Sequence, residues 1–128
     1  MSDLLRRAMI PVLRDLEVTG APIPRVEPSD WQTSVPAESA MVRSEDNSGM
    51  GVWVDISLAA AEQVSMVADQ VQEWAVEELA ATGRPTNWPQ CPDHPENHPM
   101  TARANGGTAW WTCPESRRDV SEIGRLGG

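Results

Sequence analysis

The residues with the most definite chemistry lie close together in the C-terminal third of the chain. Both cysteines and both histidines of the sequence fall between positions 91 and 113, in the pattern Cys-x2-His-x3-His-x14-Cys. Two thiolates and two neutral imidazoles form the closed tetrahedral donor set of structural zinc sites. We therefore predict that Cys91, His94, His98 and Cys113 bind one zinc ion, which would help to fold a segment poor in aliphatic residues.

A β-hairpin between the two halves of this pattern would bring the ligands together. If Asn105-Gly106 forms a two-residue turn, His98 lies directly opposite Cys113 on the neighbouring strand. Directly opposed Cβ atoms are about 4.5 to 5.5 Å apart, which suits two side chains that share one ion. The same register pairs Met100 with Trp111, whereas a three-residue turn would move Pro99 opposite Cys113.

Two other interpretations of the cysteines and histidines stay open from the sequence. Cys91 and Cys113 could be a packed, reduced pair of thiols, with both histidines at the surface. They could also form a disulfide, although nothing in the sequence marks the chain as secreted.

The segment resembles a pair of zinc-ribbon knuckles. The first knuckle is Cys91-Pro92-Asp93-His94, and the second is Cys113-Pro114-Glu115-Ser116, in which Ser116 stands where a ribbon has Cys or His. His98 is the substitute fourth ligand in our prediction. Residues 67–126 also resemble a group of small actinobacterial and phage proteins, through the run VADQVQEWAVEEL followed by Trp-Pro-x-Cys-Pro-x-His-Pro and Trp-x-Cys-Pro. That resemblance implies no particular activity.

Hydrophobic periodicity predicts the elements that position these residues. We expect an α+β fold with an N-terminal helix, a β-hairpin, a long central helix and a small ribbon-like C-terminal β-hairpin. Residues 1–84 would form the α+β body and residues 85–128 the C-terminal subdomain. The first predicted element is a helix over 2–16 with Ser2 as N-cap, either kinked near Met9–Ile10 or divided into two short helices with Pro11 in the first turn of the second. The other predicted elements are a loop over 20–36 anchored by Trp31, strands over 40–43 and 51–56, and a helix over 58–82 capped by Ser57 and ended by Gly83.

The long helix carries a face on which every charged residue is acidic. Its acidic residues occur without a single basic residue between positions 58 and 82, and they include Glu62, Asp69, Glu73 and Glu77. Like charges four residues apart repel by roughly 0.2 to 0.5 kcal/mol per pair. The face is either a solvated surface or a docking surface for a basic protein partner, since clustered acids speed such encounters.

The two adjacent tryptophans of the C-terminal segment point to opposite faces of a strand. One of Trp110 and Trp111 should therefore pack inside while the other is more exposed. We take Trp110 as the candidate for a protein contact, because tryptophan is enriched at interfaces. Stacking on nucleic-acid bases is the competing interpretation.

Composition limits the classes of function. The 128 residues carry a formal net charge of −9, which opposes nonspecific binding to nucleic acid or anionic lipid. No apolar run reaches the roughly 18 to 20 residues of a membrane span, so we expect a cytoplasmic protein, virion-associated if it is phage-encoded.

We therefore expect a non-enzymatic interaction or adaptor module. One alternative is a zinc-dependent hydrolase with an open metal position and Asp93, Glu96 or Glu115 as general base, although the chain has no His-Glu-x-x-His motif. The other alternative is a zinc ribbon that binds nucleic acid.

Overall fold

The computed structural model describes residues 3–127, which form two helices and two three-stranded antiparallel sheets. The helices are α1 (Asp3–Val18) and α2 (Ala60–Ala81); the strands are β1 (Arg25–Pro28), β2 (Ala37–Arg43), β3 (Gly49–Asp55), β4 (Thr101–Asn105), β5 (Thr108–Thr112) and β6 (Asp119–Glu122). The predicted α+β class is confirmed, as is the order of helix, hairpin, long helix and hairpin. No helix within the described residues is both long and apolar enough to cross a membrane.

The first sheet has the strand order β1-β2-β3. The alternating residues Ala40, Val42, Val52 and Val54 are fully buried, because every second side chain of a strand points to the same face. Strand β1 lies inside the segment for which we predicted only a loop, and its Val26 pairs with Val42. The strand could not be predicted because it has four residues and ends at a proline, so the alternation of apolar and polar residues is too short to recognise.

Trp31 anchors the segment that connects β1 to β2, as predicted. Its indole Nε1 donates a hydrogen bond to the carbonyl oxygen of Ala40 at 3.0 Å. The ring lies so close to Gly51 that a Cβ there would approach it to 2.7 Å. A side chain larger than hydrogen at position 51 would therefore displace the indole.

Helix α1 is a single helix that contains Pro11, so the predicted alternative of two short helices is wrong. Its buried side consists of Leu5, Ala8, Met9, Val12, Asp15 and Leu16. The predicted N-cap, Ser2, lies outside the described residues. Within them, the carboxylate of Glu38 on β2 accepts a hydrogen bond from the Leu5 backbone N–H at 3.2 Å, which satisfies one of the free donors of the first turn.

Asp15 is the buried ionisable residue of this helix, and its side chain is fully excluded from solvent. Its carboxylate accepts hydrogen bonds from the indole Nε1 of Trp111 at 2.8 Å and from the backbone N–H groups of Gly124 and Leu126 at 2.7 and 3.0 Å. Three donors directed at one carboxylate offset much of the cost of burying it. Asp15 thus ties the C-terminal segment to α1.

The N-terminal cap of helix α2 differs from our prediction, whereas the glycine that ends the helix agrees with it. Its N-cap is Ala59, which makes no side-chain capping bond, so the predicted cap by Ser57 is wrong. The Ser57 hydroxyl instead donates to Asp55 Oδ1 at 2.6 Å in a local turn. At the other end Gly83 adopts a φ of +72°, as predicted, and the Arg84 N–H reaches the Leu79 carbonyl oxygen at 2.9 Å.

Two glutamine side chains connect α2 to structures on its two sides. Gln70 pairs with the backbone of Trp53 on β3, accepting from its N–H at 3.0 Å and donating to its carbonyl oxygen at 2.7 Å. The buried Gln72 donates to the carbonyl oxygens of Trp88 and Met100 at 3.1 and 2.6 Å. Because two residues span about 200° around a helix, the two amides point in nearly opposite directions.

The register of the second sheet differs from our prediction. The two-residue turn is Gly106-Gly107 rather than Asn105-Gly106, so Asn105 pairs with Thr108 and Trp111 pairs with Ala102 instead of Met100. His98 is consequently not opposite Cys113. Both glycines have positive φ, 62° and 79°, and a turn that needs positive φ at both central positions favours the Gly-Gly pair.

The second sheet also contains β6, a strand that we did not predict, paired with β5 beyond the second cysteine. Buried hydrophobic residues from both proposed parts of the chain pack into one cluster. Trp88 and Trp111 meet edge to face within it, with ring centroids 5.6 Å apart. The division into a body and a subdomain at residue 84 stays a prediction.

Candidate metal centre

The first half of the candidate site is a tight loop that begins at Cys91. Gln90 and Pro99 form an isolated antiparallel bridge, and the Met100 N–H donates to the Pro89 carbonyl oxygen at 2.8 Å. Between these ends the loop makes two successive turns, closed by bonds from the His94 N–H to the Cys91 carbonyl oxygen and from the Asn97 N–H to the His94 carbonyl oxygen, at 3.1 and 3.2 Å. The bridge places Cys91 next to His98, and the first turn folds His94 back over Cys91.

The second half is a turn that follows β5. The Arg117 N–H donates to the Cys113 carbonyl oxygen at 2.8 Å, and the Cys113 N–H donates to the Arg118 carbonyl oxygen at 2.9 Å. The Ser116 N–H points at the sulfur of Cys113, 3.4 Å away. Such a backbone donor stabilises a thiolate more than a thiol, because it interacts with the charge of the sulfur.

These two loops bring the four predicted ligands together. One donor atom from each of Cys91, His94, His98 and Cys113 lies within 4.8 Å of all the others, so the group could hold a metal ion. The Nδ1 atom of His94 lies 3.6 Å from the Cys113 sulfur and 3.9 Å from the Cys91 sulfur. Bond lengths of 2.0 to 2.3 Å in a tetrahedron require donor separations of roughly 3.3 to 3.8 Å, so the widest separations, at up to 4.8 Å, would have to contract by about 1 Å on metal binding.

The two imidazoles present different nitrogen atoms to the site. His98 Nδ1 lies 3.2 Å from the Pro99 carbonyl oxygen, which fixes the proton on Nδ1 and leaves a lone pair on Nε2. That Nε2 atom is buried and makes no hydrogen bond to any described residue. A buried nitrogen without a hydrogen-bond partner is costly in a protein interior, and a metal ion would satisfy it.

Both sulfur atoms are suited to binding a soft or borderline metal ion such as zinc. Cys91 and Cys113 are free thiols and are fully buried. Hydrogen bonding by the Ser116 side chain and backbone N–H lowers the pKa of the Cys113 thiol from 9.0 to about 6, although burial acts in the opposite direction. Cys113 is therefore available as a thiolate, the form that binds metal, at neutral pH.

An ion pair joins the two loops across the outside of the site. The guanidinium of Arg118 donates to both carboxylate oxygens of Asp93, at distances of 3.0 and 3.1 Å. This bidentate contact engages Asp93, one of the three carboxylates that we considered as a general base. Another of them, Glu115, lies with Oε2 3.4 Å from Nε2 of His94 and 3.4 Å from Nε2 of His98.

The sequence predicted this group through an incorrect hairpin register. His98 meets Cys113 because the Gln90 and Pro99 bridge folds the first loop, and not because the two residues face each other on paired strands. The hydrogen bonds around the site were not predicted. Asp93 and Arg118 are 25 positions apart, and oppositely charged residues at such a separation give no periodic signal.

The predicted partner residues of α2 all lie on its exposed side. Glu62, Asp69, Glu73 and Glu77 are exposed, and none of the ion pairs within residues 3–127 involves an acidic residue of this helix. Arg84, which follows the helix, donates to the Gly20 carbonyl oxygen, and Arg118 pairs with Asp93.

Near its C-terminal end this face meets the turn between β2 and β3. Partial burial, together with the nearby charges of Asp46, Glu45 and Glu77, raises the pKa of Glu78 above 4.5. Negative potential is therefore concentrated where the helix meets the turn, so a cation placed there would relieve repulsion.

The two adjacent tryptophans separate as predicted. Trp111 is completely buried, whereas Trp110 is partly exposed on the other face of β5, opposite Arg103 and Glu122 on the neighbouring strands. The indole Nε1 of Trp110 donates to the Asn105 carbonyl oxygen at 3.3 Å.

Comparisons of the chain with protein-family models, with curated proteins and with solved structures give no match.

Proposed function

We propose that the chain is a non-enzymatic protein-interaction module whose C-terminal part is stabilised by a structural zinc ion. The observation that carries the zinc proposal is the convergence of four donor atoms, from Cys91, His94, His98 and Cys113, to within 4.8 Å of one another. Two sulfur and two imidazole donors suit zinc better than the hard cations calcium or magnesium, which take oxygen ligands. Four protein ligands complete a tetrahedron, which favours a structural role over a catalytic one.

A reducing compartment fits this donor set. Both cysteines are free in the structure, and zinc binding requires them as thiolates rather than as a disulfide. We therefore propose a cytoplasmic location, and virion association stays part of the proposal through the resemblance to phage proteins.

Metal analysis of the purified chain tests the site. We expect about one zinc ion per chain, and substitution Cys91→Ser or Cys113→Ser should release it. Asn97→Ala is the matched control, because this exposed side chain lies in the same loop and donates no ligand. Wild-type protein that remains free of metal after refolding with equimolar zinc would refute the proposal.

Cobalt substitution separates the structural role from the hydrolase alternative. A closed site gives the visible absorption of four-coordinate cobalt with two sulfur ligands, and that spectrum should not respond to small anions such as azide. A catalytic site would retain a position for water and would change its spectrum on anion binding. Glu115 is the carboxylate that such a hydrolase would use as base, because it is the one placed beside both imidazoles.

The acidic face of α2 is the proposed docking surface, and its occupant is a basic segment of a protein partner. Its support is the set of exposed carboxylates Glu62, Asp69, Glu73 and Glu77, which make no ion pair among the described residues. Charge complementarity steers association and favours such a partner over nucleic acid, which this field repels. Trp110 is the proposed apolar contact.

Charge reversal tests the docking surface with an arginine-rich synthetic peptide as probe. The triple variant Asp69→Lys, Glu73→Lys, Glu77→Lys should weaken peptide binding by about tenfold or more, since each exposed charge contributes up to about 1 kcal/mol. The control reverses three exposed acids elsewhere, Glu17, Asp30 and Glu96, with the same change in net charge. Equal losses in both variants would show that net charge alone attracts the peptide.

A further inference from the structure

The two histidines of the candidate metal centre differ in what their second nitrogen atom contacts. His98 directs Nδ1 at the Pro99 carbonyl oxygen, 3.2 Å away. His94 directs Nδ1 towards the two sulfur atoms, so its Nε2 faces outward. The carboxylate of Glu115 meets this outward nitrogen: its Oε2 lies 3.4 Å from Nε2 of His94 and also 3.4 Å from Nε2 of His98. Because His98 carries its proton on Nδ1, directed at Pro99, only His94 has an Nε2–H to donate to Glu115.

We propose that Glu115 accepts a hydrogen bond from the Nε2–H of His94 and thereby holds His94 in the tautomer whose Nδ1 binds the metal. This inference rests on the proposed zinc site and assigns a positioning role to a residue that is not one of the four ligands. A metal-bound histidine almost always donates its other ring N–H to a carboxylate, a carbonyl oxygen or water. His98 has a carbonyl oxygen for this purpose, and Glu115 supplies the corresponding acceptor for His94.

The backbone around Glu115 makes the contact possible. Glu115 follows the ligand Cys113 by two residues, inside the turn that is closed by the bonds between Cys113 and residues 117 and 118. The backbone position of Glu115 is therefore set by the same turn that positions the sulfur. Asp93 is held by Arg118 through both of its oxygens, and Glu115 is the carboxylate that lies beside Nε2 of His94.

The charge of Glu115 also favours metal binding. Two thiolates and two neutral imidazoles cancel the charge of one divalent cation, so the bound site is neutral. A hydrogen bond from a metal-bound imidazole to a carboxylate raises the basicity of the ligating nitrogen. Glu115 should therefore strengthen the bond between His94 and the ion, although 62% of its own side chain is exposed.

The experiment measures the zinc affinity of the full chain by competition with a chromophoric chelator. Glu115→Ala should bind zinc about 10 to 100 times more weakly than wild type, the range known for the loss of such outer contacts. Glu115→Gln should lose less, because its amide oxygen can still accept the hydrogen bond, though without the added strength of a charge. Glu96→Ala is the control, an exposed acid of the first loop with no ion pair among the described residues.

Nitrogen-15 chemical shifts of the zinc-loaded protein give a second readout that a general loss of stability would not change. Wild type should show His94 protonated at Nε2 and metal-bound at Nδ1, whereas Glu115→Ala should weaken or redistribute this tautomer. Wild type that binds one zinc while Glu115→Ala keeps both its affinity and its His94 shifts would overturn the inference but leave the zinc site intact.

Two other outcomes separate the inference from the zinc proposal. If the cobalt spectrum of wild type is five-coordinate and becomes four-coordinate in Glu115→Ala, then Glu115 is itself a ligand and the positioning role is wrong. A wild-type chain that binds no zinc would instead refute the zinc site and, with it, the role of Glu115.

Discussion

The carboxylate of Asp15 and the indole of Trp111 are joined by a 2.8 Å hydrogen bond between residues 96 positions apart. Both side chains are fully buried, so the bond connects the first helix to the middle strand of the second sheet inside the protein. Trp111 depends on Asp15, because an unpaired indole N–H would be costly at this depth, whereas Asp15 without Trp111 would keep the backbone donors of Gly124 and Leu126.

The substitution Asp15→Ala should lower the free energy of unfolding by about 3 kcal/mol. It leaves the Trp111 indole and the backbone N–H groups of Gly124 and Leu126 without their acceptor. Urea unfolding followed by circular dichroism measures the change. Glu17→Gln, an exposed acid on the same helix, is the control and should alter stability by less than about 0.5 kcal/mol.

The substitution Gln72→Met should lower the free energy of unfolding by about 2 kcal/mol. The replacement has a similar volume, but it leaves the carbonyl oxygens of Trp88 and Met100 without the amide donor. Glu73→Gln, at the next and exposed position, is the control for the helix itself. Equal stability of Gln72→Met and wild type would mean that water replaces the amide at no cost.

Removal of the metal should loosen the C-terminal segment before the rest of the fold. The segment from Cys91 to Cys113 contributes few aliphatic residues to the core, so metal binding would supply part of its folding free energy. Hydrogen exchange with and without a chelator measures this. We expect protection to fall at the backbone N–H groups of His94 and Arg117, which close the two loops, while β2 and β3 keep theirs. Uniform loss of protection throughout the chain would contradict the prediction.

Metal-free, reduced protein should gain stability as the pH rises from about 6 to 9. Ser116 lowers the pKa of Cys113 from 9.0 to about 6 in the folded state, so the folded protein releases this proton at lower pH than the unfolded chain. A depressed pKa gives stability that is fully present above the unfolded pKa and is lost as the pH falls through the folded one. Thermal unfolding across this pH range measures the gain, and Ser116→Ala should flatten the profile. A Ser116→Ala profile identical to that of wild type would show that the hydroxyl is irrelevant.

The substitution Glu78→Gln should raise stability at neutral pH, by less than about 1 kcal/mol because the residue is only partly buried. Partial burial and the charges of Asp46, Glu45 and Glu77 raise the pKa of Glu78 above 4.5, so its charged form destabilises the fold. Stability from a raised pKa is present below the unfolded value and is lost as the pH rises through the folded one. The advantage of the variant should therefore be absent below pH 4.5 and appear above it in paired denaturation curves. A constant difference at every pH would point to a cause other than charge.

The sequence was informative where a single physical pattern governs a segment. The 3.6-residue period predicted the long helix, and its end at Gly83 followed from the need for a positive φ. The four donor residues could be selected because cysteine and histidine occur nowhere else in the chain. Their convergence required only that the chain between them double back, which several different registers allow.

The sequence did not predict features for which two possible turns compete, or features that depend on a hydrogen-bond partner far away in the chain. Asn105-Gly106 and Gly106-Gly107 both favour the same type of turn, and the choice between them set the register of the second sheet. Ser57 had the right side chain for a helix cap, but the nearer Asp55 carboxylate took its hydroxyl. The burial of Asp15 depends on donors 96 to 111 positions away, which no local pattern contains.

The side chains of Gln70 and Gln72 have a mechanical consequence for the molecule. They bind backbone atoms on opposite sides of one helical turn, at β3 and at the residues that flank the loop of Cys91. A slide of α2 by one residue would swing both amides through about 100° and break both attachments at once. The two glutamine contacts therefore fix both the rotation of α2 and its position along its own axis, relative to β3 on one side and to the residues that flank the loop of Cys91 on the other.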